Sequence, residues 1–359
     1  MNNPSPVIYI DSKRISYEDP VYFIAEIGSN FDQDLNRAKN LIYLAKEAGA
    51  DAAKFQHYTA HTLVSDRGFM ALGKAQSHQA QWKKSVFNTY EDASLNKDWT
   101  ATLKTTCDEV GITFFSSPYS YDLVDFIDPY VPAYKVGSGD ITWIKIIQHM
   151  ARKGKPVMLA TGASDMTDVR RAVDSVLEIT PDVVLMQCNT NYTTSNKNFP
   201  HIHLNVLRSY AEAYSGIALG LSDHMPGHTT VLGAVALGAR VIEKHFTDSV
   251  ARDGPDHPFS MTPTTWREMV DRTRELEASL GSSEKRIEAN EKQTAVVQRR
   301  CVRAACNIKV GTRLTNADLE VLRPCPADSI PPYEMESLLG MTTQRSIQAG
   351  DVIKWIDVQ

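Results

Sequence analysis

The chain has 359 residues, of which 42% are hydrophobic and 23% charged, the balance of a globular protein with a substantial core. At roughly 150 residues per domain the length calls for more than one, and a barrel of about 250 residues plus a small domain fits better than two equal halves. A net charge of −5 argues against an extended nucleic-acid or anionic-membrane surface, while leaving room for a local cationic pocket that takes an anionic metabolite.

The opening residues MNNPSPVIYIDSKR lack the cationic start and apolar core of a secretory signal, and no run approaches the ~20 apolar residues of a membrane span. Val7 to Ile10 and then Ile15 read as a short hairpin capping the lower end of a barrel. From residue 20 to about 280, short β-branched runs alternate with segments of helical period. The runs are VYFIAE from Val21, DAAKFQ from Asp51, ITFFSS from Ile112 and AYKVG from Ala133. PVMLA from Pro156, DVVLMQC from Asp182, GIALGL from Gly216 and RVIEKH from Arg240 complete the set. Nearly all are continuously apolar, as expected of parallel strands covered on both faces. Asp34 to Ala48, Lys97 to Val110, Met166 to Leu177 and Thr229 to Leu237 carry apolar residues at three- and four-residue spacing and predict helices. Strand and helix repeated eight times point to an α/β fold of the (β/α)8 TIM-barrel type. A doubly wound open sheet shares that periodicity and stays open. The polar, irregular interval from Tyr58 to Leu95 predicts a large loop over one barrel face.

Beyond a helix from Trp266 to about Leu280, GSSEKRIEANEKQ is charged, lacks bulky apolar residues and reads as a linker. CVRAACNI and VIKWIDV are β-like, and Thr315–Asn316–Ala317–Asp318 between them is a plausible helix cap. The domain boundaries that follow are a barrel over residues 1–283, a linker over 284–297 and a small β-rich domain over 298–359. Cys107, Cys188, Cys301, Cys306 and Cys325 are odd in number and form no CxxC pair. Reduced thiols in a reducing, cytoplasmic compartment are expected.

In a barrel of this type the functional groups stand at the C-terminal ends of the strands. Those ends carry Glu26, then Lys54 and Gln56, then Ser116 and Ser117, then Lys135, Ser138 and Asp140. Thr161, then Asn189, Thr190 and Tyr192, then Ser222, Asp223 and His224, then Glu243 and His245 complete the ring. Strand ends are often polar because they meet solvent, but Lys54 and Lys135 lie inside apolar strands, where unpaired lysines are rare. Two lysines, neighbouring hydroxyls and the Gly137–Ser138–Gly139 turn suit a compact anion bearing phosphate and carboxylate. His224 and His245 close adjacent strands, so their imidazoles either share a divalent metal or are hydrogen-bonded structural histidines. His224 and His228 do not form a zincin pair, because the glutamate is missing and Pro226–Gly227 breaks the helix. His257, beside Asp256, is the better substrate-contact candidate among the rest. His57, His61, His78, His149, His201 and His203 read as loop or surface residues.

FIAEIGSN, AGADAAKFQ, FFSSPYS, AYKVGSGD, ATGAS, GLSDH and EKHFTDSVARDGPD resemble, in order, the motifs of the sialic acid synthase family, which includes N-acetylneuraminate, legionaminate and pseudaminate synthases. The tail from Arg300 to Val358, with NIKVGTRLTNADLEVLRP and SIQAGDVI, resembles that family's antifreeze-like (SAF) domain. The resemblance implies a domain-swapped homodimer in which each SAF domain closes the other subunit's site, with Arg323 reaching in. It implies a synthase that condenses phosphoenolpyruvate with an open-chain aldose such as an N-acetylmannosamine-like amino sugar, giving a nonulosonic acid and phosphate by C–O cleavage. It places Lys54, Ser117, Lys135, Ser138, Thr161, Thr190 and Ser222 around phosphoenolpyruvate, and a Mn2+ or Mg2+ ion on His224 and His245. Glu26, Gln56, Asp140, Tyr192 and Asp256 then face the sugar and the reacting carbons, with Glu26 and Asp256 as the groups that handle water or the cationic centre.

Departures from the family pattern cluster on the acceptor side. Asn30-Phe31-Asp32-Gln33 replaces the usual NHxG, Asp140 stands where many members have Glu, Thr193 follows Tyr192 in place of Pro, and PCPADSIPP follows Arg323. Rival readings are a synthase of another 3-deoxy-ulosonic acid from a non-acetylated aldose, a non-catalytic sugar- or anion-binding barrel, and an aldolase forming a Schiff base on Lys54 or Lys135.

Overall fold

The computed structural model describes residues 6–73, 79–80, 82–193 and 195–359 and divides into two units, Met1–Gly281 and Ser282–Gln359. His78 lies outside the described residues. A hairpin of β1 (Ile8–Ile10) and β2 (Lys13–Ile15) opens the first unit. Eight strands follow: β3 (Tyr22–Glu26), β4 (Ala52–His57), β5 (Thr113–Pro118), β6 (Tyr134–Val136), β7 (Val157–Ala160), β8 (Val183–Cys188), β9 (Ala218–Asp223) and β10 (Ala239–His245). They form one sheet in the order β5-β4-β3-β10-β9-β8-β7-β6, all laddered pairs parallel. β5 and β6, the two ends of that order, pack side by side and bring the sheet round to a nearly closed barrel. All eight predicted runs are strands, and closure removes the open-sheet alternative.

Alternation along each strand sorts residues to the two faces. Phe23 and Ala25 of β3, Ala53 and Phe55 of β4, and Leu159 of β7 face outward into the helix-packed core. Tyr22, Ile24, Ala52, Phe115, Met158, Val184, Met186 and Val241 face inward and pack with Ile8, Ile10 and Ile15. The hairpin therefore plugs the lower end of the barrel, as its apolar alternation predicts.

Helices at Leu35–Glu47, Thr100–Val110, Met166–Leu177, Thr229–Ala236 and Pro263–Leu280 stand where the apolar spacing puts them. Asp34 and Asp165 cap two of them through side-chain oxygens. The interval 58–95 is not a plain loop. It holds helices Ala60–Leu63, Asp66–Leu72 and Val86–Ala93, the last two capped by Ser65 and Ser85. No helix among the described residues is long and apolar enough to cross a membrane.

The second unit has its own core, built from Val302, Ile308, Leu319, Ile330, Ile347 and Ile353 among others. β11 (Cys301–Ala304) pairs antiparallel with β12 (Leu319–Leu322). The Thr315 cap exists, since Asp318 accepts from both the Thr315 amide and hydroxyl, but it closes a single 3-10 turn before Leu319–Leu322 continues as β12. VIKWIDV contributes isolated bridges and a 3-10 turn instead of a strand. Lys292–Gln298, which begins in the stretch read as a linker and ends one residue beyond it, is helical.

Candidate functional site

Inward-facing positions are apolar at the lower end of the barrel and become polar only at the C-terminal strand ends. Glu26, Lys54, Ser117, Lys135, Ser222, Glu243 and His245 are all buried there. A chain of charge crosses the barrel mouth from strand to strand. Lys54 forms an ion pair with Glu26 and lies 3.6 Å from Glu243 Oε2. Lys135 Nζ donates to Glu243 Oε1 at 3.1 Å, and Ser222 Oγ donates to the same oxygen at 3.1 Å. Burial pulls the Lys54 ammonium down to about 8, against the opposing pull of Glu243. Burial acts to raise Glu243, but the two ammonium groups outweigh it and hold the carboxyl below the usual carboxylate range.

Glu243 is the group that sequence reasoning left without a role. Its signal was its position: it shares the inward face of β10 with His245, two residues on.

The two imidazoles are neighbours, with ring centroids 5.5 Å apart. His224 Nδ1 lies 3.0 Å from the Asn189 carbonyl oxygen. A carbonyl only accepts, so Nδ1 carries the proton and Nε2 keeps its lone pair. Burial, then the mutual proximity of the rings, keeps His245 well below its ordinary pKa, and burial lowers His224 too. Both rings are neutral at neutral pH. Among the described residues no group of three His, Cys, Asp or Glu side chains is arranged to hold a metal. Two neutral imidazoles beside acidic groups fit a cation that completes its shell with water or substrate oxygen. Two buried polar atoms in this mouth, Ser117 Oγ and His245 Nδ1, have no hydrogen-bond partner, and Glu243 Oε2 has only the Lys54 ammonium at 3.6 Å. Their shared location leaves room for an incoming polar group.

Asp256 accepts from the Ser29 amide at 3.0 Å and hydroxyl at 2.9 Å, and its carboxylate lies 3.9 Å from His245 Nδ1. Gly28, at φ +54°, makes this convergence possible. A Cβ there would stand 2.5 Å from Asp256 Oδ2 and 3.4 Å from His245 Nδ1, and the Gly28 amide donates to Glu26 at 2.7 Å. On the opposite side Ser138 Oγ accepts from the Gly162 amide at 2.9 Å, and Thr190 packs against the same glycine.

Above the charged floor lies a cavity of about 370 Å³ lined by Gln56, Ser138, Asp140, Tyr192, His245 and Asp256, with Tyr58, Tyr90, Tyr119, Trp82 and Phe259 as its aromatic wall. Burial raises the Asp140 carboxyl to about 6. Phe259 packs edge-on to His245 at 4.8 Å and Tyr192 edge-on to His224 at 4.4 Å, fixing both imidazoles from one side. The aromatic wall was not foreseen, because the segment between residues 58 and 95 that supplies most of it shows no clear periodicity.

Two candidates of the barrel stand elsewhere. Thr161 is on the outward parity of β7; its hydroxyl donates to the Met186 carbonyl at 3.1 Å and accepts from Tyr210 at 3.0 Å, so it does not join the cluster. His257 is buried with both nitrogens engaged, by Thr247 Oγ1 at 2.7 Å and Asp32 Oδ1 at 2.9 Å, and this corrects its reading as a substrate contact. Arg323 is exposed on the second unit. His57 also departs from the surface reading: it is buried between Ser116 and Thr100.

Behind the site, the outward-facing partners of these same strands form a second charged pair. Lys244 and Asp223 are both buried and ion-paired, Lys244 also binds the Met225 carbonyl, and Asp223 accepts from Thr230 at 2.6 Å. This pair ties β9 to β10 directly behind His224 and His245.

The pattern of the NeuB family matches residues 41–285, and that of the SAF domain matches residues 299–359. The chain is 32% identical over 344 residues to the N,N'-diacetyllegionaminic acid synthase of Legionella pneumophila, covering 94% of each protein. It is 30% identical over 337 residues to the human N-acetylneuraminate-9-phosphate synthase, covering 94% of this chain and 92% of that one. The crystal structure of a sialic acid synthetase from Leptospira borgpetersenii in complex with citrate superposes with a TM-score of 0.70 at 27% identity, covering 81% of this chain and 95% of that one.

Proposed function

The chain belongs to the NeuB family, and from that premise we propose that it is a nonulosonic acid synthase condensing phosphoenolpyruvate with an open-chain sugar aldehyde. The observation that carries this reading is the shared barrel mouth: two lysines bridged by Glu243, two neutral imidazoles, and unpartnered Ser117 Oγ and His245 Nδ1. Lys54 and Lys135 hold the donor's phosphate and carboxylate, with hydroxyls from Ser117, Ser138, Thr190 and Ser222 around them. The ammonium groups act through fixed position as much as through charge. His224 and His245 would hold Mn2+ or Mg2+, which when bound supplies a Lewis acid for a carbonyl oxygen.

C3 of the enol phosphate forms the new bond to the aldehyde carbon, whose oxygen takes up a proton to become a hydroxyl, and cationic character grows at C2. Glu26, fixed by Lys54 and the Gly28 amide, faces that centre and takes a proton from the water that adds at C2. The C2–O bond then breaks and phosphate leaves with its bridging oxygen. Asp256, Gln56, Asp140 and Tyr192 orient the acceptor.

Reaction in 18O-labelled water tests the bond broken. Released phosphate should stay unlabelled, and label in phosphate would establish P–O cleavage and overturn the mechanism.

One observation favours a second reading. A lysine at about 8 is closer to the range of Schiff-base nucleophiles than a free lysine. Lys54 is nevertheless protonated at pH 7 and bound between two glutamates, which withholds its lone pair. Borohydride trapping of a pyruvate adduct would decide for the aldolase. As part of the proposal, two chains exchange SAF domains in a cytoplasmic homodimer and Arg323 closes the partner's site. Sedimentation of the whole chain against residues 1–281 measures that association.

A further inference from the structure

We propose that Cys301 and Cys325 of the second unit are a reversible dithiol–disulfide pair, and that closing the bridge shifts the segment carrying Arg323 and slows turnover. The bridge stands apart from the synthase reading; its effect on turnover rests on that reading. The chain leaves β12 at Leu322 and runs through Arg323 and Pro324 to Cys325. Cys301 opens β11 opposite Leu322 and is fully buried, whereas Cys325 is partly open to solvent. The Cys301 thiol donates to the Pro324 carbonyl oxygen at 3.2 Å, so it stands against the peptide that joins Pro324 to Cys325. Across that one peptide the Cys325 Cα lies within about 6 Å of the Cys301 sulfur, and a shift of this segment alone brings the Cβ atoms to disulfide spacing.

The surroundings suit thiol exchange. Burial pushes the Cys301 thiol up, Ser329 and Arg303 pull it back toward the thiolate, and Cys325 adds to the push. Arg303 donates to the same Pro324 oxygen through Nη2 at 2.6 Å and to the Gly350 carbonyl through Nη1 at 2.6 Å. Its buried Nε has no acceptor among the described residues. A cation with a spare N–H beside a thiol favours the thiolate, the form that attacks a disulfide. Cys107 and Cys188 are buried in the first unit, and Cys306, though exposed, lies against the Asp318 carboxylate, which opposes a thiolate.

With a small disulfide such as oxidised glutathione, the accessible Cys325 thiolate attacks one sulfur and releases one glutathione. The Cys301 thiolate then attacks Cys325 Sγ in the mixed disulfide and releases the second. Two electrons and the two thiol protons pass to the released glutathione, and a dithiol reverses both steps. Oxidation removes the S–H that held the Pro324 oxygen and draws Cys325 toward β11. Arg323, two residues earlier, is thereby displaced from the position in which it closes the partner's site. Bridges of this kind in reducing compartments are transient and redox-sensing rather than structural.

Full-length protein is treated with oxidised glutathione, alkylated, digested and mapped by mass. Phosphate release is followed in parallel with Mn2+, phosphoenolpyruvate and the best acceptor from a panel of aldoses. We expect the Cys301 and Cys325 peptides to be joined, turnover to fall about tenfold, and dithiothreitol to reverse both. Cys325→Ser, and separately Cys301→Ser as a guard against a folding defect, should keep the turnover of the reduced protein and lose the response to oxidant. Cys306→Ser should keep that response. No joined peptide, or one that joins Cys306, overturns the pair. A bridge with turnover unchanged overturns the control ascribed to it. If no aldose of the panel yields product, the synthase reading fails with the effect on turnover, while the mapped peptides still decide whether the pair exists.

Discussion

Replacing Glu243 by Gln removes the charge that holds the two lysines, and its effects on stability and on anion binding have opposite signs. Glu243 lies 3.1 Å from the Lys135 ammonium and 3.6 Å from that of Lys54. At an effective dielectric of about 20 each contact is worth roughly 5 kcal/mol of Coulomb energy before burial is subtracted. Removing one partner from a buried cluster costs about 3–5 kcal/mol, because the remaining charges keep their desolvation penalty. Glu243→Gln should therefore unfold in urea with a stability lower by about 3 kcal/mol. At a pH low enough to keep Lys54 protonated without Glu243, the freed ammonium groups then favour an outside anion, and phosphoenolpyruvate should bind at least ~10-fold more tightly, about 1.4 kcal/mol. Titration calorimetry without acceptor measures this directly, and turnover should fall because the lysines lose their common anchor. Weaker donor binding in a variant of unchanged stability would refute the account of Glu243 as the resident counter-ion.

Lys135→Ala should reduce kcat/KM by about 10²–10³, the cost of losing one preorganised charge, measured by phosphate release. His245→Ala should abolish the rise in melting temperature that Mn2+ gives the parent protein; a persisting rise would move the metal elsewhere. Lys244→Met removes one half of the buried pair behind the site, and should weaken Mn2+ binding about 10–100-fold, read as a shifted metal titration. Donor affinity should fall as pH rises through about 8, where Lys54 loses its proton. The raised Asp140 carboxyl gives the folded chain extra protons between about 4 and about 6, so its contribution to stability declines as pH rises through that window. Asp140→Asn should remove that slope from urea titrations repeated across it.

The barrel was legible because its parallel strands are buried on both faces and leave continuous apolar runs, while the helices between them keep a period of their own. β7, at Val157–Ala160, starts one residue inside the run that predicted it and ends with it. Parity carried the site equally far. Once a strand's end is fixed, alternation decides which residue points into the mouth, and Glu26, Lys54, Lys135, Ser222 and His245 all sit on inward positions. The same rule, applied strictly, would have set Thr161 aside and promoted Glu243. His257 could not have been read from the sequence. Its two partners, Thr247 and Asp32, are a distant pair that only the fold brings together, and two satisfied nitrogens look the same in a sequence as two free ones. The aromatic wall escaped for another reason: helices of four to eight residues are too short to show a period.

The mouth is close to charge-balanced when empty, with two lysines against Glu26 and Glu243, and this bears on how it can work. Two unpaired ammonium groups in a sealed barrel would each carry a desolvation penalty of several kcal/mol, and burial would deprotonate them. Lys54, already at about 8 with both carboxylates present, shows how narrow that margin is. On the proposed reading, Glu243 keeps Lys54 charged until a donor arrives, and the donor's own negative charge would then take over part of that task. Glu26 would be released from its hold on Lys54 by the same event that delivers a carbon centre needing a base. A carboxylate freed only in the presence of donor cannot be spent on other water beforehand. The order this imposes is testable by equilibrium binding: the sugar alone should bind weakly, and phosphoenolpyruvate should strengthen it by loosening Glu26, whereas Glu26→Gln should bind sugar with the same affinity with or without donor.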